Sequence, residues 1–269
     1  MDLMPDRCKT KYPIVLIHGT GFRDYKKLNY WGRIPKALTA EGADIYYGHQ
    51  DCWGTIEHNA NIIKKNVLDV ISKTGAEKVN LIAHSKGGME ARFMICELGM
   101  EQHIASLTTI STPHHGSKTV DKFYNCPTFL YKIISFFVNI YFKILGDKEP
   151  DFYTTSRQFS TFFCERFNTE IINSRDIYYQ SYASIMKNSF SDILMVIPHF
   201  IVKLFEGDND GLVTPDSAKW GEYKGLISGK TARGISHADI VDFRRMNYSK
   251  LDIRNVYISI VEDLKNNGF

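Results

Sequence analysis

The first 110 residues alternate short apolar runs with longer amphipathic segments, and this alternation restricts the possible folds more than any other feature of the sequence. Apolar runs of the kind found in buried strands occupy residues 12–17, 45–47, 78–83 and 104–110. Apolar residues with helical spacing occupy residues 29–41, 56–74 and 87–98. Strands that alternate with helices predict an α/β protein with a mostly parallel central sheet and helices on both faces.

The alternation stops after residue 113, where a long segment without a clear strand begins. Within it, residues 129–145 are strongly apolar, but the polar side chains fall on one stripe of a helix. These side chains are Lys132, Ser135, Asn139 and Lys143. A bilayer span needs roughly 20 apolar residues, so we predict an amphipathic helix with a wide apolar face and no transmembrane segment. We interpret residues 118–175 as a helical lid or cap.

The strand pattern resumes after this insertion. We predict strands at residues 177–183 and 200–205, a last strand within residues 221–229, and a closing helix at residues 252–266. A chain of 269 residues fits one α/β domain with an insertion, so we predict a single domain over residues 1–269.

Composition excludes several classes of function. The net charge is only +3, and no long Lys/Arg cluster is present, so a nucleic-acid partner is not expected. The cysteines are five in number, widely spaced and without a C-x-x-C pair, which argues against a disulfide framework or a zinc site. The N-terminus lacks the apolar segment of a secretory signal, which predicts a cytoplasmic protein unless the chain is trimmed or exported by another route.

The turn Ala83-His84-Ser85-Lys86-Gly87 lies between a predicted strand and a predicted helix, which is the context of a nucleophile elbow. A sharp turn of this kind holds serine in a strained conformation and presents its hydroxyl clear of the sheet. Small residues are needed two positions before and after the serine, and Ala83 and Gly87 meet that requirement. We therefore predict Ser85 as a catalytic nucleophile.

An ester hydrolase also needs backbone N–H groups that bind the developing oxyanion. One is expected from the residue after the nucleophile, Lys86, and the other from a loop after an early strand. His18-Gly19-Thr20-Gly21 follows the first strand, so Thr20 is the second candidate. Both residues would act through their backbone, so we expect their side chains to be replaceable.

The serine requires a histidine base that is oriented by a carboxylate. In the α/β-hydrolase fold the chain order is nucleophile, acid, histidine. This order favours His237, in a polar loop after the last strand candidate. Asp210, in a tight Gly-rich turn, is the favoured acid. The alternatives for the acid are Asp208, Asp192 and Asp216.

With these residues identified, the chain resembles the bacterial true lipases, both the secreted Gram-negative and the thermophilic Gram-positive type. The similarity covers residues 12–117 and 177–265. Its segments are YPIVLIHGTG at 12–21, NYWGRIPKAL at 29–38, KVNLIAHSKGG at 78–88, TTISTPHHGS at 108–117, NDGLV at 209–213, and His237-Ala238-Asp239.

This resemblance implies an α/β-hydrolase fold and hydrolysis of fatty-acyl esters, with a lipid substrate met at a lipid–water interface. The chemistry requires no cofactor, but the resemblance implies a structural calcium ion with Asp239 as a ligand. The insertion at 118–175 departs from those lipases, and the His/Asp set that binds zinc in the thermophilic type is not evident. The alternative functions are a short-chain carboxylesterase, a phospholipase or acyltransferase, and a non-catalytic binding protein of the same fold.

Overall fold

One parallel sheet of six strands forms the centre of the molecule in a computed structural model that describes residues 6–25, 29–124, 127–227, 232–247 and 251–269. The strand order is β2-β1-β3-β4-β5-β6, and every pairing is parallel. The strands are β1 (Ile14–Ile17), β2 (Ile45–Tyr47), β3 (Val79–His84), β4 (Ile104–Ile110), β5 (Tyr178–Ser184) and β6 (Glu222–Ile227). The predicted parallel sheet is confirmed, although residues 228 and 229 of the last strand candidate lie outside the described residues.

Helices cover both faces of this sheet. They are α1 (Ile34–Ala40), α2 (Ile56–Thr74), α3 (Lys86–Glu97), α4 (Lys118–Phe123), α5 (Thr128–Ile144), α6 (Phe152–Arg157), α7 (Thr161–Glu170), α8 (Val196–Glu206), α9 (Pro215–Ala218) and α10 (Ile253–Asn266). One hydrophobic core lies between the sheet and α1 and α10, and a second lies between the opposite face and α2 and α3. In the described part of the chain, no helix combines the length and apolar character needed to cross a membrane.

The strand predicted at residues 200–205 is wrong, because this segment belongs to helix α8. A short apolar run does not by itself distinguish a buried strand from a helix. The signal for a helix was present, since Ile197, Ile201 and Leu204 have the spacing of one helical face. His199 therefore lies within helix α8, and Asp210 lies in the loop that follows this helix.

Helices α4 to α7 fill the predicted insertion between β4 and β5, and α5 has an unusual orientation. The middle of its polar stripe faces the protein: Ser135 is buried, and Asn139 Oδ1 accepts a hydrogen bond of 2.9 Å from the backbone N–H of Phe152, whereas Lys132 and Lys143 are exposed. Its apolar residues face solvent instead, and Phe137 and Ile144 are 65% and 79% exposed. Ser135 is the one buried residue of this helix.

Candidate active site

Ser85 forms the turn between β3 and α3. Its backbone has φ 54° and ψ −130°, a left-handed conformation that is strained for a residue with a side chain. The N–H of Ser85 donates to Ile110 O on β4 at 3.0 Å, which links the turn to the neighbouring strand. A Cβ atom on Gly87 would lie 2.5 Å from His18 O, so only glycine fits at this position. Local geometry thus matches the nucleophile elbow that the sequence predicts.

Asp210 and His237 are brought together by two hydrogen bonds. The ring Nδ1 of His237 lies 2.9 Å from Asp210 Oδ2, and the His237 backbone N–H donates to Asp210 O at 2.7 Å. A carboxylate only accepts hydrogen bonds, so the proton is on Nδ1 and the lone pair is on Nε2. The Asp210 carboxylate also accepts the N–H groups of Leu212 and Val213 at 3.1 and 2.9 Å.

Charge and hydrogen bonding keep Asp210 ionised although it is completely buried. Burial alone would raise the pKa of this carboxyl, but the charge and hydrogen bond of His237 and the two backbone N–H groups outweigh it, so the pKa is lowered. The site therefore holds an anion that orients the ring of His237.

The alternative acids do not contact His237. Asp208 is 72% exposed and lies 3.9 Å from Lys203. Asp216 is exposed and binds Lys219. Asp192 is buried, but its carboxylate accepts hydrogen bonds from Ser236 and Arg244. Of the four candidates, the structure brings only Asp210 to the histidine.

Ser85 and His237 line two adjoining cavities that share Thr20 and Leu212 as walls. The His237 ring packs against the ring of His84, the neighbour of Ser85, with 4.4 Å between centroids. Among the described residues the Ser85 hydroxyl makes no hydrogen bond, so the Ser85–His237 hydrogen bond of a working triad is not formed in this conformation.

The predicted oxyanion donors both lie close to Ser85 in the structure. Lys86 is the first residue of α3, where backbone N–H groups have no partner within the helix. Gly19, which precedes Thr20, packs so closely that a Cβ atom there would lie 2.7 Å from Ser85 Cβ. Neither the N–H of Thr20 nor that of Lys86 donates to another described residue, which leaves both available to a substrate oxygen.

The expectation that the Lys86 side chain is replaceable is wrong. Its Nζ is fully buried, 2.6 Å from Glu90 Oε1, and also donates to Gly54 O at 2.6 Å. Asn59 Nδ2 donates to the same Glu90 oxygen at 2.6 Å. The side chain is thus the cation of an interior polar network.

The cavity that contains Ser85 has a volume of about 340 Å³ and nearly entirely apolar walls. Helix α4 contributes Val120 and Phe123, and helix α8 contributes Ile197, Ile201 and Val202. No residue of α5 lines it. In this conformation the helices that contribute to the wall are α4 and α8, and the role of residues 118–175 as a lid or cap stays a prediction.

The residues around Asp239 do not fit a calcium ion. Asp239 is buried, and its Oδ2 lies 2.9 Å from an Arg233 guanidinium nitrogen, so a cationic side chain occupies the face that calcium would need. Within the described ranges, no group of three or more His, Cys, Asp and Glu side chains is arranged to hold a metal. Calcium binds through six or more oxygens, and we derive no function from such an ion.

Sequence reasoning missed Tyr30 and His84, two buried residues that contact each other next to the Ser85 turn. Tyr30 Oη lies 2.7 Å from His84 Nδ1, and both residues are buried. Burial lowers the pKa of His84 well below its ordinary value, with a further contribution from the nearby His237 ring. The His84 ring is therefore neutral where it packs against the ring of His237. The only sequence signal was an aromatic residue at Tyr30, which also fits ordinary core packing.

Comparison with known proteins identifies relatives over nearly the whole chain. Residues 13–233 match the family described as palmitoyl protein thioesterase. The chain is 30% identical over 262 residues to triacylglycerol lipase 2 of Saccharomyces cerevisiae, which covers 90% of this chain and 75% of that protein. It is 36% identical over 114 residues to a triacylglycerol lipase of Vibrio cholerae, which covers 42% of this chain and 36% of that protein.

Solved lipase structures share the fold. Mature lipase BlEst2 of Bacillus licheniformis aligns with a TM-score of 0.69 and 22% identity, over 96% of this chain and 94% of that chain. The Staphylococcus hyicus lipase aligns with a TM-score of 0.70 and 18% identity, over 99% and 98% of the two chains. The predicted α/β-hydrolase fold and the resemblance to bacterial lipases are thereby confirmed, whereas the thioesterase family was not foreseen.

Proposed function

This chain belongs to the palmitoyl protein thioesterase family and is homologous to triacylglycerol lipases, so it is a carboxylic ester hydrolase. We propose that Ser85, His237 and Asp210 perform the hydrolysis. The observation that carries the proposal is the buried hydrogen bond of 2.9 Å between His237 Nδ1 and Asp210 Oδ2. It fixes the ring so that Nε2 is the free base, next to the cavity that contains Ser85.

In the first step, Ser85 Oγ attacks the carbonyl carbon of the ester while His237 Nε2 takes the hydroxyl proton. We propose that the Ser85 side chain rotates to bring Oγ to the ring, and no hydrogen bond of this hydroxyl to another described residue opposes the rotation. The resulting imidazolium is stabilised by the Asp210 carboxylate. The bond to the alcohol then breaks, and His237 returns the proton to the leaving oxygen, which gives an acyl-enzyme.

In the second step, water attacks the carbonyl carbon of the acyl-enzyme. His237 takes a proton from water, and the acyl–serine bond breaks as Ser85 recovers its proton, which releases the carboxylic acid. In both steps the carbonyl oxygen becomes negative. We propose that the backbone N–H groups of Thr20 and Lys86 bind it, each of which contributes roughly 10²–10³-fold to the rate.

The substrate class follows from the walls of the Ser85 cavity. A space of about 340 Å³ with apolar walls suits a fatty-acyl chain better than a short soluble acid, because each buried methylene contributes about 0.8 kcal/mol. We therefore propose a lipase with a preference for medium or long acyl chains. A short-chain carboxylesterase is the alternative.

The first experiment is a series of p-nitrophenyl esters from acetate to palmitate, hydrolysed by the natural protein and by Ser85→Ala. We expect kcat/KM to rise from acetate to the medium chains and Ser85→Ala to lose several orders of magnitude. A maximum at acetate would favour the carboxylesterase. Failure of a fluorophosphonate probe to label Ser85 would favour the non-catalytic binding protein. Phospholipids and alcohol acceptors in the same panel identify a phospholipase or an acyltransferase.

We further propose that α5 and α8 together bind a lipid surface. Both helices present large apolar side chains to solvent: Phe137 and Ile144 on α5, and Ile197, Phe200 and Leu204 on α8, all more than 60% exposed. Exposed apolar patches of this kind are unfavourable in water and mark interaction surfaces. Since α8 also lines the Ser85 cavity, a surface bound there would present its acyl chains to the cavity mouth.

This second proposal is tested by the rate on a short-chain triglyceride below and above the concentration at which it forms droplets. We expect an upturn at that threshold. The double variant Phe137→Glu/Ile144→Glu should lose the upturn and keep the rate on dissolved ester. The matched control is Leu68→Glu, which changes an exposed leucine on α2, a helix that lines neither the Ser85 cavity nor the His237 cavity. A smooth hyperbola through the threshold would refute the proposal.

A further inference from the structure

The guanidinium of Arg157 lies among three tyrosine rings next to the Ser85 cavity. Its central carbon is 4.0 Å from the ring centroid of Tyr153, 4.8 Å from that of Tyr124 and 5.3 Å from that of Tyr131. Cation–π contacts hold a guanidinium in place without neutralising its charge. The arginine is therefore fixed in position and keeps its donors.

Arg157 has no anionic partner within the described residues. Its side chain donates no hydrogen bond there, and its Nε is buried without an acceptor. Lys132 adds a second positive charge, since its Nζ lies 5.7 Å from the same Tyr153 ring and it likewise forms no ion pair in the described part of the chain. The Asp121 carboxylate on α4 already accepts hydrogen bonds from Thr161. Two positive charges without an anionic partner thus contact the same ring, which favours an anion near it.

Arg157 also lines a small cavity that joins the larger one. This cavity has a volume of about 100 Å³, and its walls include Val120, Phe123 and Phe159. The same three residues line the cavity that contains Ser85. A ligand whose chain lies in the large cavity can therefore place a polar group in the small one and reach the guanidinium.

We propose that Arg157, with Lys132 beside it, forms an anion subsite that binds the phosphate or carboxylate of a lipid whose chain occupies the Ser85 cavity. A guanidinium binds such oxyanions through two parallel N–H donors. The two sources of this chemistry are a phospholipid head group and a released fatty acid. The proposal rests on the proposed function, because the large cavity is there the acyl site.

The experiment compares three amphiphiles that share a twelve-carbon chain, all below their micelle thresholds: dodecyl phosphate, laurate and neutral glycerol monolaurate. Each is tested as an inhibitor of p-nitrophenyl butyrate hydrolysis. We expect at least one anionic amphiphile to bind about tenfold or more tightly than the neutral one. Arg157→Gln should abolish this difference and leave the affinity for glycerol monolaurate unchanged, whereas Arg157→Lys, which keeps the charge, should retain part of it.

Lys143→Gln is the matched control, because it removes an exposed lysine from the same helix as Lys132. Tight binding of dodecyl phosphate indicates a phospholipid head group, and tight binding of laurate alone indicates the released acid. Equal affinity for charged and neutral amphiphiles in the natural protein, or a preference that survives Arg157→Gln, overturns the proposal. Titration calorimetry with dodecyl phosphate measures the affinity independently of activity, so it tests the subsite even if the hydrolysis fails.

Discussion

Lys86 and Glu90 form an ion pair in the interior directly behind the proposed nucleophile, with Nζ 2.6 Å from Oε1 and both side chains fully buried. The backbone of Lys86 supplies one proposed oxyanion donor, and its side chain ties that backbone to Gly54, next to the cavity wall at Trp53. The position of the donor is thus coupled to the loop that precedes α2.

The first prediction concerns the stability that this pair provides. Lys86→Met leaves Glu90 buried without its counter-charge, which typically costs about 3–5 kcal/mol. Glu90→Met should have a similar effect. The double variant removes both charges and keeps most of the volume, so we expect it to be more stable than either single variant. Urea unfolding measures the free energies.

The control for this series is Lys65→Met, because Lys65 is an exposed lysine on α2. It should change the free energy of unfolding by about 0.5 kcal/mol or less, as surface substitutions usually do. If the losses in the two single variants simply add in the double variant, the buried pair is not coupled as the distances indicate.

A second prediction tests how closely the oxyanion loop must pack against the nucleophile. In Gly19→Ala the new methyl group would lie 2.7 Å from Ser85 Cβ and 2.8 Å from Tyr30 Oη, so the loop must shift. Displacement of the Thr20 N–H should lower kcat roughly 10²-fold. Thr20→Ala keeps the backbone N–H and should lower kcat far less. Equal losses in the two variants would show that the side chain of Thr20 matters instead.

A third prediction follows from Asp24, whose side chain is buried and whose Oδ2 lies 4.0 Å from His18 Nε2. Burial raises the pKa of Asp24 from 3.8 to about 8 and lowers the pKa of His18 from 6.5 to about 4. Between pH 4 and 6.5 the two groups have opposite effects on how stability changes with pH: Asp24 lowers it as the pH rises, and His18 raises it. Between about pH 6.5 and 8 the folded chain holds a proton on Asp24 that the unfolded chain lacks, so stability falls as the pH rises.

Asp24→Asn removes this titration and keeps the shape of the side chain. We expect the unfolding free energy of this variant to change less between pH 6.5 and 8 than that of the natural protein. The stability of the variant relative to the natural protein should be highest at pH 8. Urea unfolding at half-unit pH intervals gives both curves. Parallel curves for the two proteins would show that Asp24 is ionised in the folded state.

The parallel sheet and the elbow could be predicted because both depend on local pattern. Apolar runs and helical spacing report strands and helices directly, and the turn at Ser85 needs small residues at fixed offsets. Helix α8 was predicted as a strand because its apolar run is short. The orientation of α5 was also beyond the sequence, since a helix with one apolar and one polar face is expected to bury the apolar face.

Contacts between distant residues account for the remaining differences. Lys86 contacts Gly54, and Asp239 contacts Arg233, only because the fold brings separate loops together. A single sequence contains no signal for such pairs, so the Lys86 side chain was predicted to be replaceable and Asp239 was assigned to calcium. The pair Asp210 and His237 could be inferred because the fold constrains their chain order, although Asp208 was an equally local alternative.

The final prediction separates these two aspartates. Asp210→Asn keeps the shape of the side chain, but an amide can donate to Nδ1, which moves the ring proton to Nε2 and removes the base. We expect kcat to fall roughly 10⁴-fold, with KM little changed because the cavity walls are intact. Asp208→Asn, two residues away and 72% exposed, should retain nearly full activity. Comparable losses of kcat in both variants, measured on p-nitrophenyl butyrate with circular dichroism to verify folding, would show that Asp210 does not orient His237.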